Sequence, residues 1–113
     1  NRQLGFANTI EASRKGANYL DSTVFGMGRG AGNCTTECLI SFLKNPKFDM
    51  MPIFELIEMN YEKLFQELRW GYQLPYLVTA VMNQHPRSAI NWLQSDMKDN
   101  HAEFLHKMLE EYT

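Results

Sequence analysis

Residues 19–33, YLDSTVFGMGRGAGN, join a β-branched segment to a run with glycine at every second position from 26 to 32. The first part, Tyr19 to Phe25, is short and partly alternating in polarity, which predicts a strand. The glycine run can adopt positive φ angles and lets the backbone approach a ligand closely. Asn33 or Thr35 can cap a helix that starts directly afterwards. The stretch therefore predicts a strand, a glycine-rich turn and a helix.

Helical patterns flank this stretch on both sides. The spacing of apolar residues predicts helices over Gln3 to Lys15, Thr35 to Lys44, Pro52 to Trp70, Pro75 to Gln84, Pro86 to Gln94 and His101 to Tyr112. Three of them carry proline in the first turn, where its missing N–H costs nothing. A lone strand leaves both edges unpaired, so we expect partner strands from chain before Asn1 or from another subunit.

Composition narrows the functional classes. The 113 residues carry a formal net charge of −2 with scattered Lys and Arg, which argues against nucleic-acid binding. No apolar run approaches the ~20 residues that span a bilayer, so no membrane partner is expected. Cys34 and Cys38, one helical turn apart, are expected to be buried free thiols and suit a cytoplasmic location. Structural roles are also expected for the three histidines, His85, His101 and His106.

The glycine run has a second interpretation. GMGRGA, starting at Gly26, fits the dinucleotide pattern G-x-G-x-x-A between a strand and a helix. The acidic residue that should end a second strand about 20 positions later is missing, because Asp49 follows a helix and the Asn45–Pro46 break. Nucleotide binding and a purely structural turn remain alternatives.

Three segments together resemble a known family: NRQLGFAN at 1–8, LDST at 20–23 and GMGRGAGN at 26–33. They resemble the metal-dependent aldolases and acyl lyases that include 4-hydroxy-2-oxovalerate aldolase and hydroxymethylglutaryl-CoA lyase. The resemblance implies an α/β fold in which residues 1–45 end a (β/α)₈ TIM barrel and residues 46–113 form a helical C-terminal region. The glycine loop would lie at the C-terminal face of that barrel.

The resemblance also implies a cofactor, Mn²⁺ or Mg²⁺. The main ligands of the family, an aspartate and a His-x-His pair, would lie before Asn1. Asn33 matches an asparagine that coordinates the metal in some members, and its amide oxygen suits a hard cation. The alternative is that Asn33 only caps the following helix.

The implied reaction is cleavage or formation of a 4-hydroxy-2-oxo acid through a pyruvate enolate. Tyr72 or Tyr76 would face the substrate, although tyrosines in apolar helices are more often packed core residues. Gly28, Arg29 and Gly30 would line the substrate loop. The acyl-CoA lyases carry a cysteine in this loop, so Arg29 favours the aldolases.

These observations lead to two main hypotheses. The first is the end of a longer aldolase, inactive as 113 residues alone. It would bind a 2-oxo acid, and its candidate protein partners are a second copy and an aldehyde dehydrogenase. The second is a non-catalytic helical interaction module, suggested by the apolar stripe from Phe54 to Leu68.

Overall fold

The computed structural model describes residues 1–113 and is mainly α-helical. Its helices are α1 Gly5–Arg14, α2 Thr36–Phe42, α3 Met51–Leu56, α4 Glu62–Leu68, α5 Leu74–Val81, α6 Arg87–Leu93 and α7 His101–Tyr112. Every helix predicted from the apolar spacing is present, most of them a few residues shorter than expected. Thr35 is the residue that caps α2, because its Oγ1 accepts a hydrogen bond from the Cys38 N–H at 3.3 Å.

The strand predicted over Tyr19 to Phe25 does not form. Thr23 makes one isolated parallel bridge with Thr35, and residues Val24–Gly26 turn into a 3₁₀ helix. The backbone leaves the extended conformation at Phe25, whose φ is 56°. A strand is stabilised by ladders to its neighbours. Since this segment meets only one bridging residue, the prediction of a strand was wrong for these residues, and no barrel is formed by them.

One long helical rod spans α3 and α4. A π-helical turn, Ile57–Tyr61, joins the two helices without a break, because Ile57 and Glu62 keep right-handed helical backbone angles. The rod ends at Arg69, which adopts a left-handed conformation with φ 51°. The stripe of apolar residues predicted for Pro52 to Trp70 thus lies on one helical unit.

Two packing centres hold the chain together. The first is an aromatic cluster of edge-to-face rings formed by Phe25, Tyr61, Phe65 and Trp70. The second is a buried core formed by Ala31, Tyr76, Ala89, Trp92, Phe104 and Met108. Each centre takes one residue from the first third of the chain and the rest from residues 57–113, most of them helical. The helices therefore position the glycine-rich segment.

The molecule is a thin slab. Its extents are 49 × 35 × 16 Å and its radius of gyration is 16.5 Å, whereas a compact domain of this length has about 13 Å. The accessible surface is 8228 Å², against roughly 6,400 Å² for a compact monomer of this mass. Much apolar surface is consequently exposed. None of the helices has the length and apolar character needed to cross a membrane.

Candidate functional site

The glycine loop, residues 26–33, is held by side chains on both sides of it. Asn1 Oδ1 accepts a hydrogen bond from the Ala31 N–H at 3.0 Å. Thr23 Oγ1 donates to the Met27 carbonyl at 2.7 Å. These bonds satisfy backbone groups that no helix or sheet pairs, so the loop has a fixed shape without regular structure.

The start of α1 lies directly against the far end of the loop. A Cβ on Gly5 would stand 1.9 Å from the Gly32 carbonyl oxygen and 2.9 Å from the Cys34 nitrogen. Only glycine fits this approach. Asn1 and Gly5 were not predicted to support the loop. The only feature of the sequence that indicates this role is their place in the N-x-x-L-G segment.

A first cavity, which we name the Asn33 cavity, brings two predicted site residues together. It measures about 260 Å³ and is lined by Asn33 and Tyr72, with Gly26 and Gly32 from the loop. Tyr72 is 45% exposed. Tyr72, one of the two tyrosines predicted to face the substrate, thus borders the same cavity as the predicted metal ligand.

The Asn33 side chain fits one ligand position of a hard cation. Its Nδ2 faces the Gly26 carbonyl at 3.3 Å and the Met27 carbonyl at 3.5 Å. Both neighbours are acceptors, so the amide nitrogen must point toward them and the oxygen points away. The helix cap is Thr35, which leaves Asn33 Oδ1 free for a ligand. No group of three or more His, Cys, Asp or Glu side chains is placed to hold a metal ion.

A second cavity, which we name the Arg29 cavity, contains the other predicted site residues. It measures about 290 Å³ and is lined by Gly28, Arg29, Gly30 and Tyr76. The two cavities share no lining residue; Trp70 lines the second and Gly71 the first.

Tyr76 combines a buried ring with an accessible hydroxyl. The residue is 8% exposed, yet its oxygen is not among the buried polar atoms that lack a partner. Burial raises the pKa of the Tyr76 hydroxyl above the ordinary value of 10.0. Tyr76 is therefore neutral near pH 7, and its hydroxyl can donate a hydrogen bond into the cavity.

Of the cysteines and histidines, only Cys38 lines one of the two cavities. Cys34 and Cys38 are free thiols as predicted, but only Cys34 is buried, while Cys38 is exposed at the edge of the Asn33 cavity. His85 Nδ1 accepts a hydrogen bond from the Arg87 N–H at 3.1 Å. His106 pairs with an exposed glutamate on its own helix at 3.2 Å.

The glycine loop lines two cavities that are each bordered by a tyrosine, and sequence comparison identifies the family. The profile of the HMGL-like family matches residues 1–64, which include α1, the loop and α2. The chain belongs to the HMGL-like family.

The individual relatives match this chain over only a small part of their own length. Oxaloacetate decarboxylase of Mycobacterium tuberculosis is 52% identical over 44 residues, which are 39% of this chain and 13% of the relative. 4-Hydroxy-2-oxovalerate aldolase of Chloroflexus aurantiacus is 39% identical over 62 residues, 51% of this chain and 18% of the relative. The aldolase of the same name from Carboxydothermus hydrogenoformans is 31% identical over 70 residues, which are 61% of this chain and 21% of the relative. The chain thus spans about a fifth or less of these relatives. No solved structure matches.

Proposed function

We propose that this chain carries part of the active site of a divalent-metal-dependent lyase that cleaves or forms a 4-hydroxy-2-oxo acid, with pyruvate as the keto-acid half. The HMGL-like family implies TIM-barrel enzymes of lyase type. The observation that carries the proposal is the Asn33 cavity, which Asn33 and Tyr72 both line and at which the hydrogen bonds of the Asn33 amide involve Nδ2 and leave Oδ1 without a partner.

The reactions after which these relatives are named share one chemical step. An oxaloacetate decarboxylase and a 4-hydroxy-2-oxovalerate aldolase both break the C3–C4 bond of a 2-oxo acid. The electron pair stays on C3 as an enolate, and the departing half leaves as carbon dioxide or as an aldehyde. In the aldol case a base also takes the proton of the C4 hydroxyl. Protonation of C3 then gives pyruvate in both reactions.

The residues of this chain have distinct proposed roles. Asn33 Oδ1 supplies one ligand to Mn²⁺ or Mg²⁺, and the further ligands are proposed to lie outside residues 1–113. When bound, the metal supplies a Lewis acid that stabilises negative charge on the keto oxygen. Tyr72 donates a hydrogen bond to the substrate in the Asn33 cavity. Tyr76 remains protonated at neutral pH and acts as a donor rather than as a base.

The experiment measures pyruvate release from 4-hydroxy-2-oxopentanoate by the longer protein that is proposed to contain residues 1–113, with Mn²⁺, coupled to NADH oxidation by lactate dehydrogenase. Tyr72→Phe is expected to lower kcat by about 10²-fold, the usual effect of losing one positioned donor. Tyr19→Phe is the matched control, because Tyr19 is 93% exposed and lines neither cavity. Absence of pyruvate release in the wild type would reject the proposed function.

Metal binding is tested separately from turnover. Asn33→Ala is expected to weaken Mn²⁺ binding at least tenfold, measured by the electron paramagnetic resonance signal of free Mn²⁺. Thr35→Ala is the control for effects transmitted through the cap of α2. Equal Mn²⁺ affinity in wild type and Asn33→Ala would leave Asn33 with a structural role only.

A second candidate function is a helical interaction module. A groove of about 540 Å³ is lined by four apolar residues and four glutamates, namely Phe25, Met51, Phe54 and Ile57 with Glu37, Glu55, Glu58 and Glu62. None of these glutamates pairs with a Lys or Arg of the chain within 4.0 Å. The groove suits a partner segment with basic residues beside apolar ones. Glu55→Lys should weaken binding of such a peptide in calorimetry without altering pyruvate release.

A further inference from the structure

The groove beside α3, which we name the acidic groove, carries charge of one sign. No Lys, Arg or His lines it, and half of its lining residues are glutamates, namely Glu37, Glu55, Glu58 and Glu62. Glu37 Oε1 accepts a hydrogen bond from the Phe25 N–H at 3.0 Å, whereas the other three glutamates are exposed and form neither a side-chain hydrogen bond nor an ion pair. Three exposed carboxylates at one groove attract a segment with positive charge.

The same groove presents apolar side chains to solvent. Met51 is 61% exposed and Phe54 is 56% exposed, and both line it. Large apolar side chains that are exposed together beside polar residues mark interaction surfaces. Covering them removes apolar surface from water, which favours association. The partner of the groove therefore needs an apolar side chain as well as positive charge.

A segment with this chemistry lies between α2 and α3 of the same chain. Residues 43–48, which we name the lysine loop, contain Lys44 and Lys47, the only two lysines of the chain that lie within four positions of each other. Both lysines are exposed and neither forms an ion pair. Phe48, at the end of the loop, is 45% exposed. The lysine loop thus combines the positive charge and the exposed ring that the acidic groove requires.

The lysine loop does not occupy the groove of its own chain. Lys44, Lys47 and Phe48 line a different cavity of about 460 Å³, which shares no lining residue with the acidic groove. Asp49, the one carboxylate at that cavity, accepts a hydrogen bond from the Met51 N–H at 3.0 Å and pairs with neither lysine. Because the two surfaces are complementary and do not meet within one copy, they can meet between two copies. A twofold axis would form this contact twice.

We propose that the acidic groove binds the lysine loop of a second copy of this chain in a symmetric dimer. Phe48 packs on the apolar residues of the groove, and the two lysines pair with its exposed glutamates. Apolar contact supplies the affinity, and the charges fix the register of the two copies. A second copy is favoured over an unrelated peptide, because the required segment is already present and exposed on the same chain. This inference names the partner for the second candidate function and is independent of the lyase reaction.

The experiment measures self-association of the longer protein that is proposed to contain residues 1–113, by sedimentation equilibrium. The loop variant combines Lys44→Glu with Lys47→Glu, and the groove variant combines Glu55→Lys with Glu58→Lys. Each variant alone should dimerise at least about tenfold more weakly than the wild type, because like charges then face each other at both contacts.

A mixture of the two variants gives the sharper test. In a mixed dimer each contact again joins a positive surface to a negative one, so the equimolar mixture should dimerise although neither variant does so alone. Native mass spectrometry identifies the mixed dimer, and its formation also shows that both variants fold. Lys15→Glu with Lys98→Glu is the matched control, because it changes the net charge equally at exposed lysines outside the groove and the loop.

A wild type that stays monomeric would overturn the proposal and leave the groove to a different partner protein. A loop variant that associates as tightly as the control, or a mixture that forms no mixed dimer, would overturn it as well. Pyruvate release, measured in parallel, separates this proposal from the lyase reaction. A charge-dependent dimer without pyruvate release would reject the lyase and keep the interface, and pyruvate release without such a dimer would do the reverse.

Discussion

Gly5→Ala tests the contact between α1 and the glycine loop, because helix propensity and packing predict opposite signs. Gly5 is the first residue of α1, and replacing a helical glycine by alanine normally stabilises a helix by up to about 1 kcal/mol. Here the new Cβ would lie 1.9 Å from the Gly32 oxygen, against a practical minimum of 3.0 Å. All three nearest atoms belong to the backbone, so no side-chain rotation relieves the overlap. The loop must move by about 1.1 Å or more.

Overpacking of this kind costs about 1–3 kcal/mol, which outweighs the gain in helix propensity. We expect a net loss of roughly 1–2 kcal/mol in the free energy of unfolding, seen as a drop in Tm of about 4 °C or more. Circular dichroism at 222 nm on heating measures it, with Ser13→Ala on the exposed face of α1 as the control. Under the proposed function, Mn²⁺ affinity should fall as well, since Asn33 follows Gly32. A Gly5→Ala protein as stable as the wild type would refute the close approach of α1 to the loop.

Three further predictions follow from buried and exposed side chains. Trp70 donates from Nε1 to the Phe25 carbonyl at 2.8 Å, whereas the buried Trp92 Nε1 has no partner. Trp70→Phe should therefore lower the free energy of unfolding in urea by about 1–2 kcal/mol more than Trp92→Phe does. Equal losses in the two variants would contradict the hydrogen bond. Burial favours the neutral form of the Tyr76 hydroxyl and raises its pKa. The stability that Tyr76 contributes to the folded state is therefore complete below pH 10 and is lost as the pH rises through the raised pKa. Between pH 9 and 11.5 the Tm of the wild type should consequently fall more than that of Tyr76→Phe, and parallel curves would show that Tyr76 is not desolvated. Cys38, which is exposed, should react with a water-soluble disulfide reagent within seconds, while buried Cys34 reacts only on unfolding; two equally fast thiols would exclude the burial of Cys34.

Local sequence signals predicted the helices well. The apolar spacing in Pro52 to Trp70 reflects a helical period that neighbouring residues set among themselves, so it can be recognised without tertiary information. The strand was different, because Tyr19 to Phe25 has strand-like composition but only Thr35 to pair with. Strand formation depends on distant partners, and composition does not supply them.

The residues of the candidate site were proposed from the sequence, but their arrangement was not. The family resemblance pointed to Asn33 and Arg29, and their positions in the loop follow from the sequence. That Tyr72 borders one cavity and Tyr76 another depends on how the left-handed turn at Arg69 directs the chain into α5. The support of the loop by Asn1 joins positions 30 residues apart. Such contacts arise from tertiary packing, which no local period encodes.

The place of Ala31 in the helical core has a consequence for recombination. Ala31 belongs to the loop, yet it packs with Tyr76 and the fully buried Ala89. The sequence boundary near residue 45 therefore does not separate independent packing units. A chimera that joins this loop to the helices of another relative would bring together surfaces that had not adapted to each other. Crossovers should be tolerated only where the residues facing Ala31 are exchanged with it.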